Sequence, residues 1–344
     1  MAYARGVRAL AEGFAVWGAV ALAACGGTQV SGEPTETGAM LPIAAGAGFS
    51  CSRRADGPVA CWGRDDDGQL GDGGGEDQPL ARVVSGIPDA IGLALGERFA
   101  CALRENGRLV CWGDDEMVVP TASAGALAML GAQTHVRPVA GIANVVELAA
   151  GPHEVCARTR GAEVACWGAV GPAPAAAADA RPWIGPRVVA ALRGAVQLAV
   201  GERRACALGA DGRASCVALE QELASARAEP VRDGAPATSL AVRGQSVCLA
   251  DARAIRCHPF EGDPMTAEFP DVVALSAYDE RICALVRSGR VACGWPPAWV
   301  PDVTDATRIA VGADHACARR RTGELVCWGS DVHGQLGRGT ISAQ

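Results

Sequence analysis

The chain has 344 residues, of which 49% are hydrophobic and 20% are charged. This much apolar material can bury a large core, which excludes a single small disulfide-stabilised scaffold. The net charge is -7, with acidic and basic residues interspersed, whereas a nucleic-acid surface needs clustered Lys and Arg. Only 4% of the residues are aromatic, while glycine occurs 44 times, a composition that favours many short strands joined by tight turns.

The N-terminal residues 1–25 have the pattern of an export signal. Two arginines precede an apolar run from Phe14 to Ala24, which is too short to span a bilayer as a helix. The run ends at Cys25, with small residues before it and Gly26 after it, and this resembles the bacterial lipobox. The resemblance implies that Cys25 is lipidated and becomes the new N-terminus. The alternative is an ordinary secretory signal with a chance cysteine.

A polar tether is predicted for residues 26–40, between the lipid anchor and the folded part of the chain. Gly26, rather than Asp, after the lipidated cysteine favours the outer membrane over the inner membrane. We therefore expect a lipid-anchored protein of the bacterial cell envelope or the cell surface.

The cysteines reveal an internal repeat. Apart from Cys25, fourteen cysteines remain, and six of the seven successive pairs share one spacing. An apolar four-residue segment such as IAAG or LAVG precedes each of the clearest pairs, and Trp-Gly follows most of them. The pairs are Cys51 with Cys61, Cys101 with Cys111, Cys156 with Cys166, Cys206 with Cys216, Cys248 with Cys257, Cys283 with Cys293, and Cys317 with Cys327.

The residues between the two cysteines of a pair predict a β-hairpin. Five of the seven turns place glycine third in a three-residue loop, as Gly57 does in the first repeat, which is typical of a type I turn followed by a left-handed residue. Counting outward from that loop puts Cys51 directly opposite Cys61. Directly opposed residues in a non-hydrogen-bonded pair have Cα atoms roughly 4.5 Å apart, which a disulfide can bridge. The pair Cys248 and Cys257 needs a two-residue loop for the same result.

Two other roles for the cysteines fit less well. Seven zinc sites would each need four ligands, and the chain has only five His. Catalytic thiols are disfavoured because an oxidising compartment promotes pairing and no Cys-x-x-Cys motif occurs. We therefore predict seven disulfides, each within one repeat and each structural.

The number and length of the repeats predict a closed ring. Their spacing fits the roughly 40 to 50 residues of a four-stranded propeller blade, and seven lies within the usual range of about four to eight blades. We predict an all-β, seven-bladed β-propeller with four-stranded antiparallel blades over residues 41–344. The last repeat lacks the fourth-strand segment that follows other repeats, so the N-terminal segment Gln29–Gly32, which loosely resembles Arg82–Gly86, either completes the last blade or is simply part of the tether.

Two stretches carry a resemblance to a known family. CWGRDDDGQLGDG at 61–73 and CWGSDVHGQLGRG at 327–339 resemble the repeat of the regulator of chromosome condensation family. The resemblance covers residues 41–344 and is faint in repeats four to six. It implies a seven-bladed propeller, in agreement with the count of cysteine pairs. The eukaryotic namesake exchanges guanine nucleotides on a small GTPase, and we do not carry that activity over to an exported, disulfide-paired chain.

The sequence shows none of the common catalytic or cofactor-binding motifs, so we predict no cofactor and no metal. The run Asp65–Gly68 suggests calcium, but the EF-hand position that needs Glu is Gly74, and a solvated turn explains the run better. His315 occupies a variable repeat position, two residues before a cysteine, and His135 and His153 have no evident partners. These three histidines are therefore not expected to be ligands.

Four tryptophans at equivalent repeat positions are expected to pack between neighbouring blades, although a sugar-binding aromatic platform is an alternative. They are Trp62, Trp112, Trp167 and Trp328. The long segments 114–137 and 169–186 are expected to protrude, and protruding loops on a rigid scaffold commonly carry binding function.

Two functions compete. The first is a cell-envelope scaffold, anchored by lipid at Cys25, that binds an unidentified protein partner through one propeller face and has no catalytic activity. The second is an enzyme, a lyase or hydrolase acting on an envelope polymer with residues at the propeller axis. An enzyme would need acids, His or Tyr gathered at one mouth of the channel, and the sequence gives no sign of such a cluster. We favour the scaffold, as a monomer without nucleic-acid binding.

Lipidation at Cys25 makes a direct prediction. Cells fed radiolabelled palmitate should label the wild-type protein, and the Cys25→Ala protein should carry no label, because the acceptor thiol is gone. Equal labelling of the two proteins would refute the lipobox interpretation.

Overall fold

A computed structural model describes residues 30–31, 41–54, 57–114, 136–168, 184–220, 222–232 and 235–339. The predicted signal peptide, Cys25, most of the tether and most of the two long segments lie outside the described residues. Within them, the structure has no helix with the length and apolar composition needed to cross a bilayer.

The described residues form seven antiparallel sheets, arranged as the blades of a propeller. The first strand of each blade contacts the first strands of both neighbouring blades, and this circle of contacts closes between the seventh and first blades. These first strands therefore surround a common axis, and the later strands of each blade lie progressively further out. The predicted seven-bladed β-propeller is confirmed.

Blades 1 to 3 contain strands β2 to β13, and β1 (Val30–Ser31) precedes them. Blade 1 comprises β2 (Ile43–Ala45), β3 (Phe49–Arg53), β4 (Val59–Gly63) and β5 (Gln78–Val83). Blade 2 comprises β6 (Ala90–Leu95), β7 (Phe99–Arg104), β8 (Leu109–Gly113) and β9 (Arg137–Pro138). Blade 3 comprises β10 (Val145–Ala150), β11 (Glu154–Thr159), β12 (Val164–Gly168) and β13 (Ile184–Val188).

Blades 4 to 7 contain the remaining strands. A short 3-10 helix, Ala190–Leu192, precedes blade 4, which comprises β14 (Ala195–Gly201), β15 (Arg204–Gly209), β16 (Ala214–Ala218) and β17 (Glu229–Pro230). Blade 5 comprises β18 (Ser239–Arg243), β19 (Ser246–Ala250), β20 (Ala254–Pro259) and β21 (Met265–Glu268). Blade 6 comprises β22 (Val272–Tyr278), β23 (Arg281–Val286), β24 (Val291–Cys293) and β25 (Ala298–Trp299), and blade 7 comprises β26 (Ala306–Val311), β27 (His315–Arg320) and β28 (Leu325–Gly329).

The structure contains all seven disulfides that the cysteine spacing predicts, each between the second and third strands of one blade. The bonded Cα atoms are 4.0 to 4.1 Å apart, because each cysteine lies directly opposite its partner in the sheet. Gly57 has the expected positive φ of 115°. The two-residue loop expected in blade 5 is also present, since the Asp251 amide donates to the Ala254 carbonyl.

The suggestion that the N-terminal segment completes the last blade is wrong for the described residues. Val30 and Ser31 instead pair with Leu148 and Glu147 on the first strand of blade 3. They therefore extend that blade on its axial edge, whereas blade 7 has three strands in the described part of the chain. The free edge of β10 is a pairing site that the one-dimensional repeat pattern does not reveal.

A turn at residues 65–70 of blade 1 and the equivalent turn at 331–336 of blade 7 each accept a hydrogen bond from a neighbouring blade. The Trp112 indole of blade 2 donates to the Gln69 carbonyl of blade 1 at 2.9 Å. In the same way, the Trp62 indole of blade 1 donates to the Gln335 carbonyl of blade 7, also at 2.9 Å. We call this hydrogen bond from an indole to a turn carbonyl the indole clasp. One clasp joins blades 1 and 2, and an equivalent clasp closes the ring between blades 7 and 1. The expectation that tryptophans pack between blades is confirmed for Trp62 and Trp112.

Replacing a clasp tryptophan should weaken one seam between blades. We expect Trp62→Phe and Trp112→Phe each to lower the free energy of unfolding by about 1 to 3 kcal/mol, because a buried carbonyl loses its donor. Trp328→Phe is the matched control, since blade 6 has no Gln-Leu turn before it, and it should cost less than either. Denaturant unfolding measures all three, and an equal loss in Trp328→Phe would contradict the clasp.

Candidate functional site

The two faces of the ring differ in what they carry. We call the face that carries the turns between the first and second strands the turn face; these turns lie at residues 46–48, 96–98, 151–153, 202–203, 244–245, 279–280 and 312–314. The opposite, hairpin face carries the short disulfide-closed loops. The third strand of each blade runs back to the turn face, where the Asp114 amide donates to the Arg98 carbonyl at 2.9 Å. Both long segments therefore start on the turn face, after Asp114 and after Gly168.

We call the opening that the first strands surround at the turn face the axial mouth. In each blade, the last residue of the first strand or the residue after it lines this mouth. Five blades have glycine there, and a Cβ at Gly46 or Gly151 would collide with a backbone carbonyl of the next blade. The exceptions are Arg243 in blade 5 and Tyr278 in blade 6. Small residues therefore let neighbouring turns approach closely, and only two blades place a large side chain at this position.

Tyr278 is the unusual residue of this mouth. Its side chain is 4% exposed, and within the described residues its buried hydroxyl has no hydrogen-bond partner. It lines a small cavity of about 20 Å³ together with turn residues of blades 3 to 5. Burial raises the pKa of Tyr278 well above its ordinary value, and the carboxylates of Glu97, Glu154 and Asp279 act in the same direction. The hydroxyl therefore stays protonated and is surrounded by negative charge.

A buried polar chain lies at the seam between blades 7 and 1. Ser50 Oγ is 2.7 Å from His315 Nε2, and His315 Nδ1 is 3.2 Å from Asp314 Oδ1. The Gln335 amide also donates to Asp314, at 3.1 Å. Burial acts to raise the pKa of Asp314, but the hydrogen bonds from His315 and Gln335 outweigh it and lower the pKa to about 2.

The hydrogen-bonded side chains of Ser50, His315 and Asp314 are the residue types of a Ser-His-Asp triad, but they lack the solvent accessibility that catalysis needs. Ser50 is 0% exposed and His315 is 1% exposed. The hydroxyl of Ser50 also lies 3.4 Å from the Gln335 carbonyl and 3.7 Å from Cys317 Sγ, so no room remains for a substrate carbonyl beside it. We therefore interpret these three hydrogen-bonded side chains as a polar contact that closes the ring.

The acidic turn of blade 1 separates its three carboxylates. Asp65 Oδ1 accepts from the Leu70 amide at 2.8 Å, Asp66 pairs with Arg64 at 2.7 Å, and Asp67 is 3.4 Å from Arg98. Their different partners do not form a calcium cradle. Within the described residues, no group of three or more His, Cys, Asp or Glu is arranged to hold a metal ion.

Asp65 is fully buried, and its second oxygen has no partner among the described residues. Burial raises the pKa of Asp65 to about 7; the bond from the Leu70 amide opposes this rise, and the carboxyl of Asp72 adds to it. Asp65 is therefore protonated at mildly acidic pH. Asp65 lies in the same turn as Gln69, whose carbonyl accepts from Trp112.

The other predicted sites are placed as follows. Cys25 and His135 lie outside the described residues. His153 Nε2 is 3.3 Å from Glu97 on the turn face. His315 is more than a variable repeat position, because it bridges two blades. Its polar partner Ser50 belongs to a different repeat, far away in sequence, so the repeat alignment alone could not reveal the contact.

The raised pKa of Asp65 predicts a pH effect on stability. The folded state binds a proton that the unfolded state releases near its ordinary pKa, so the free energy of unfolding should fall as pH rises from about 4 to about 7. Asp65→Asn keeps the acceptor for Leu70 and carries no titrating proton, so this part of the slope should vanish in denaturant titrations.

The matched control is Asp331→Asn in blade 7, where Asp331 makes the same bond to the Leu336 amide at 2.9 Å. Arg338 stands there in place of Asp72, so the slope should match that of the wild type. An unchanged slope in Asp65→Asn would show that the Asp65 proton is not involved.

Comparison with known proteins agrees with the resemblance drawn from the sequence. The model of the regulator of chromosome condensation (RCC1) repeat matches residues 91–117 and 306–335, which lie in blades 2 and 7. No curated protein sequence matches the chain significantly.

Solved structures show the same fold at low sequence identity. Yeast RCC1 (Prp20), bound to Kap60, is 18% identical, with a TM-score of 0.51 over 87% of this chain and 72% of that one. Human WBSCR16 is 18% identical, with a TM-score of 0.54 over 90% and 82%. The ectodomain of the Arabidopsis thaliana receptor kinase ACR4 is 19% identical, with a TM-score of 0.54 over 84% and 94%. The chain is therefore a seven-bladed β-propeller in which residues 91–117 and 306–335 match the model of the RCC1 repeat.

Proposed function

We propose that this protein is a binding module of the bacterial cell envelope, anchored by lipid at Cys25, that engages another protein through its turn face and has no catalytic activity of its own. The observation that carries the proposal is the face at which the described chain reaches both long segments. Asp114 and Gly168, the last described residues before these segments, both lie on the turn face, which is also the face of the axial mouth.

The scaffold suits this role because its blades are stiff. A disulfide closes each hairpin, and indole clasps join blades 7, 1 and 2. A rigid scaffold fixes the points at which its binding loops begin, and preorganisation of this kind lowers the entropy cost of association. Proteins of the same fold provide a precedent, since yeast RCC1 has been solved bound to Kap60 and Prp20p has been studied for its binding to Gsp1p and histones.

The enzyme alternative gains one observation from the structure. Tyr278 and the carboxylates of Glu97 and Glu154 lie near one another at one mouth of the channel, a cluster that the repeat pattern does not predict. However, the cavity there is about 20 Å³, close to the space of one water molecule. A sugar ring or a peptide group does not fit such a cavity, and this supports binding over polymer cleavage.

Affinity capture tests the proposal. Full-length Cys25→Ala protein, immobilised and incubated with envelope fractions, should retain a protein partner identified by mass spectrometry. A variant with residues 116–134 replaced by a short Gly-Ser linker should lose the partner, because a partner-binding segment is gone. Arg321→Ala, on the hairpin face, is the control and should retain it.

Two results would overturn this function. One is capture that is unaffected by the linker replacement and abolished by Arg321→Ala, which would move the interface to the hairpin face. The other is turnover of purified envelope glycans or peptides by the wild-type protein, with loss of turnover in Tyr278→Phe, which would make the axial mouth an enzyme active site.

A further inference from the structure

We propose that the axial mouth of the turn face binds a primary ammonium group, supplied by one lysine side chain of the protein partner. The inference rests on the proposed binding function and names the chemistry that the turn face recognises. It starts from Tyr278, which is buried, lines the mouth cavity and has no hydrogen-bond partner within the described residues.

An unpartnered buried hydroxyl costs free energy, about 1 to 3 kcal/mol for a typical group. The fold does not require a tyrosine at this position, because five blades have glycine at the equivalent place. The tyrosine hydroxyl can accept a hydrogen bond as well as donate one. A ligand group that donates hydrogen bonds at the mouth would remove the deficit.

The charges around the mouth favour a cation. Glu97 lies on the turn of blade 2, and Glu154 is the first residue of β11 in blade 3. Asp279 lies beside Tyr278 itself, and all three carboxylates are close enough to act on its hydroxyl. Glu154 is 1% exposed, and its two oxygens accept from the backbone amides of Arg203 at 3.2 Å and His153 at 3.3 Å.

The cations near the mouth are each paired with a carboxylate. At the mouth itself, Arg243 of blade 5 pairs with Glu280 at 3.3 Å. His153 lies 3.3 Å from Glu97, and Arg203 pairs with Glu220 at 3.0 Å. Among the described residues, the exposed carboxylate of Asp279 has no ion-pair partner. The mouth therefore keeps negative charge that an incoming cation can balance.

The size of the cavity selects the kind of cation. Its volume of about 20 Å³ suits a compact ammonium group, whereas a planar guanidinium with five donors is larger. A lysine carries its ammonium on a flexible four-carbon stem, which can reach past the turn residues while the partner rests on the rim. The aromatic ring of Tyr278 adds a cation-π contribution if the ammonium lies over its face.

The chain offers a clean spectroscopic reporter. It contains two tyrosines, Tyr3 and Tyr278, so the full-length Tyr3→Phe protein has Tyr278 as its only tyrosine. In protein labelled with ¹³C at the tyrosine ring carbon that bears the hydroxyl, titration with the peptide acetyl-Gly-Lys-Gly-amide should shift that signal saturably. The same peptide with an Nε-acetylated lysine should produce no shift, and the arginine peptide should bind at least tenfold more weakly.

Variants separate the site from general charge attraction. Tyr278→Phe keeps the ring and removes the acceptor, so its affinity for the lysine peptide, measured by calorimetry, should fall about tenfold. Glu97→Gln should also weaken binding. Glu268→Gln makes the same charge change on the outer strand of blade 5 and should bind like wild type. Circular dichroism confirms that each variant is folded.

Three results would overturn the lysine site: no saturable shift with the lysine peptide, an equal shift with the acetylated peptide, or unchanged affinity in folded Tyr278→Phe. The first of these would mean that the mouth holds water only. If a partner is still captured by Tyr278→Phe without loss, the binding function stands and the lysine site fails. If the lysine peptide binds but no partner is captured, the site stands and the proposed function fails.

Discussion

The structure depends on the close approach of neighbouring blades at the turn face. The Ala47 amide of blade 1 donates to the Gly96 carbonyl of blade 2 at 3.3 Å, and the Ala313 amide of blade 7 donates to the Gly46 carbonyl of blade 1 at 3.2 Å. Such contacts need glycine beside them, because a Cβ would occupy the position of the carbonyl oxygen. The same constraint narrows the axial mouth and leaves Arg243 of blade 5 and Tyr278 of blade 6 as the large side chains at this position.

Disulfides stabilise the individual blades, whereas non-covalent contacts hold neighbouring blades together. Each disulfide closes a short hairpin within a blade, and the chain-entropy model gives it roughly 2 to 3 kcal/mol at most. Within the described residues every disulfide lies inside one blade, so the seams between blades depend on packing and hydrogen bonds. The seam between blades 7 and 1 contains buried polar contacts among Ser50, His315 and Gln335. It joins the two ends of the repeat array, where no chain connection from blade to blade assists.

Much of this architecture could be predicted from the sequence because repeats and hairpins are local patterns. The spacing from Cys51 to Cys61 fixed a register, and the register fixed the disulfide. The number of cysteine pairs gave the number of blades. Tyr278 stands in the place of a recurrent glycine, and this departure from the repeat also marks the axial mouth in the sequence.

Other features depend on contacts between distant residues. The pairing of Val30 with Leu148 uses a free strand edge that no sequence pattern marks. The raised pKa of Asp65 arises from burial and from Asp72 across a turn, although the sequence favours a solvated turn there. The contact between Ser50 and His315 joins opposite ends of the propeller. The strand pairing, the pKa shift and the side-chain contact all depend on the folded ring, so local sequence patterns do not predict them.

Amide hydrogen exchange at the two equivalent seams tests the closed ring most directly. In the oxidised protein, the Ala313 amide at the seam between blades 7 and 1 should exchange about as slowly as the Ala47 amide at the seam between blades 1 and 2, because both donate to a carbonyl of the next blade. Protection of Ala47 together with exchange of Ala313 at the rate of an unstructured peptide would mean an open row of blades and would contradict the account.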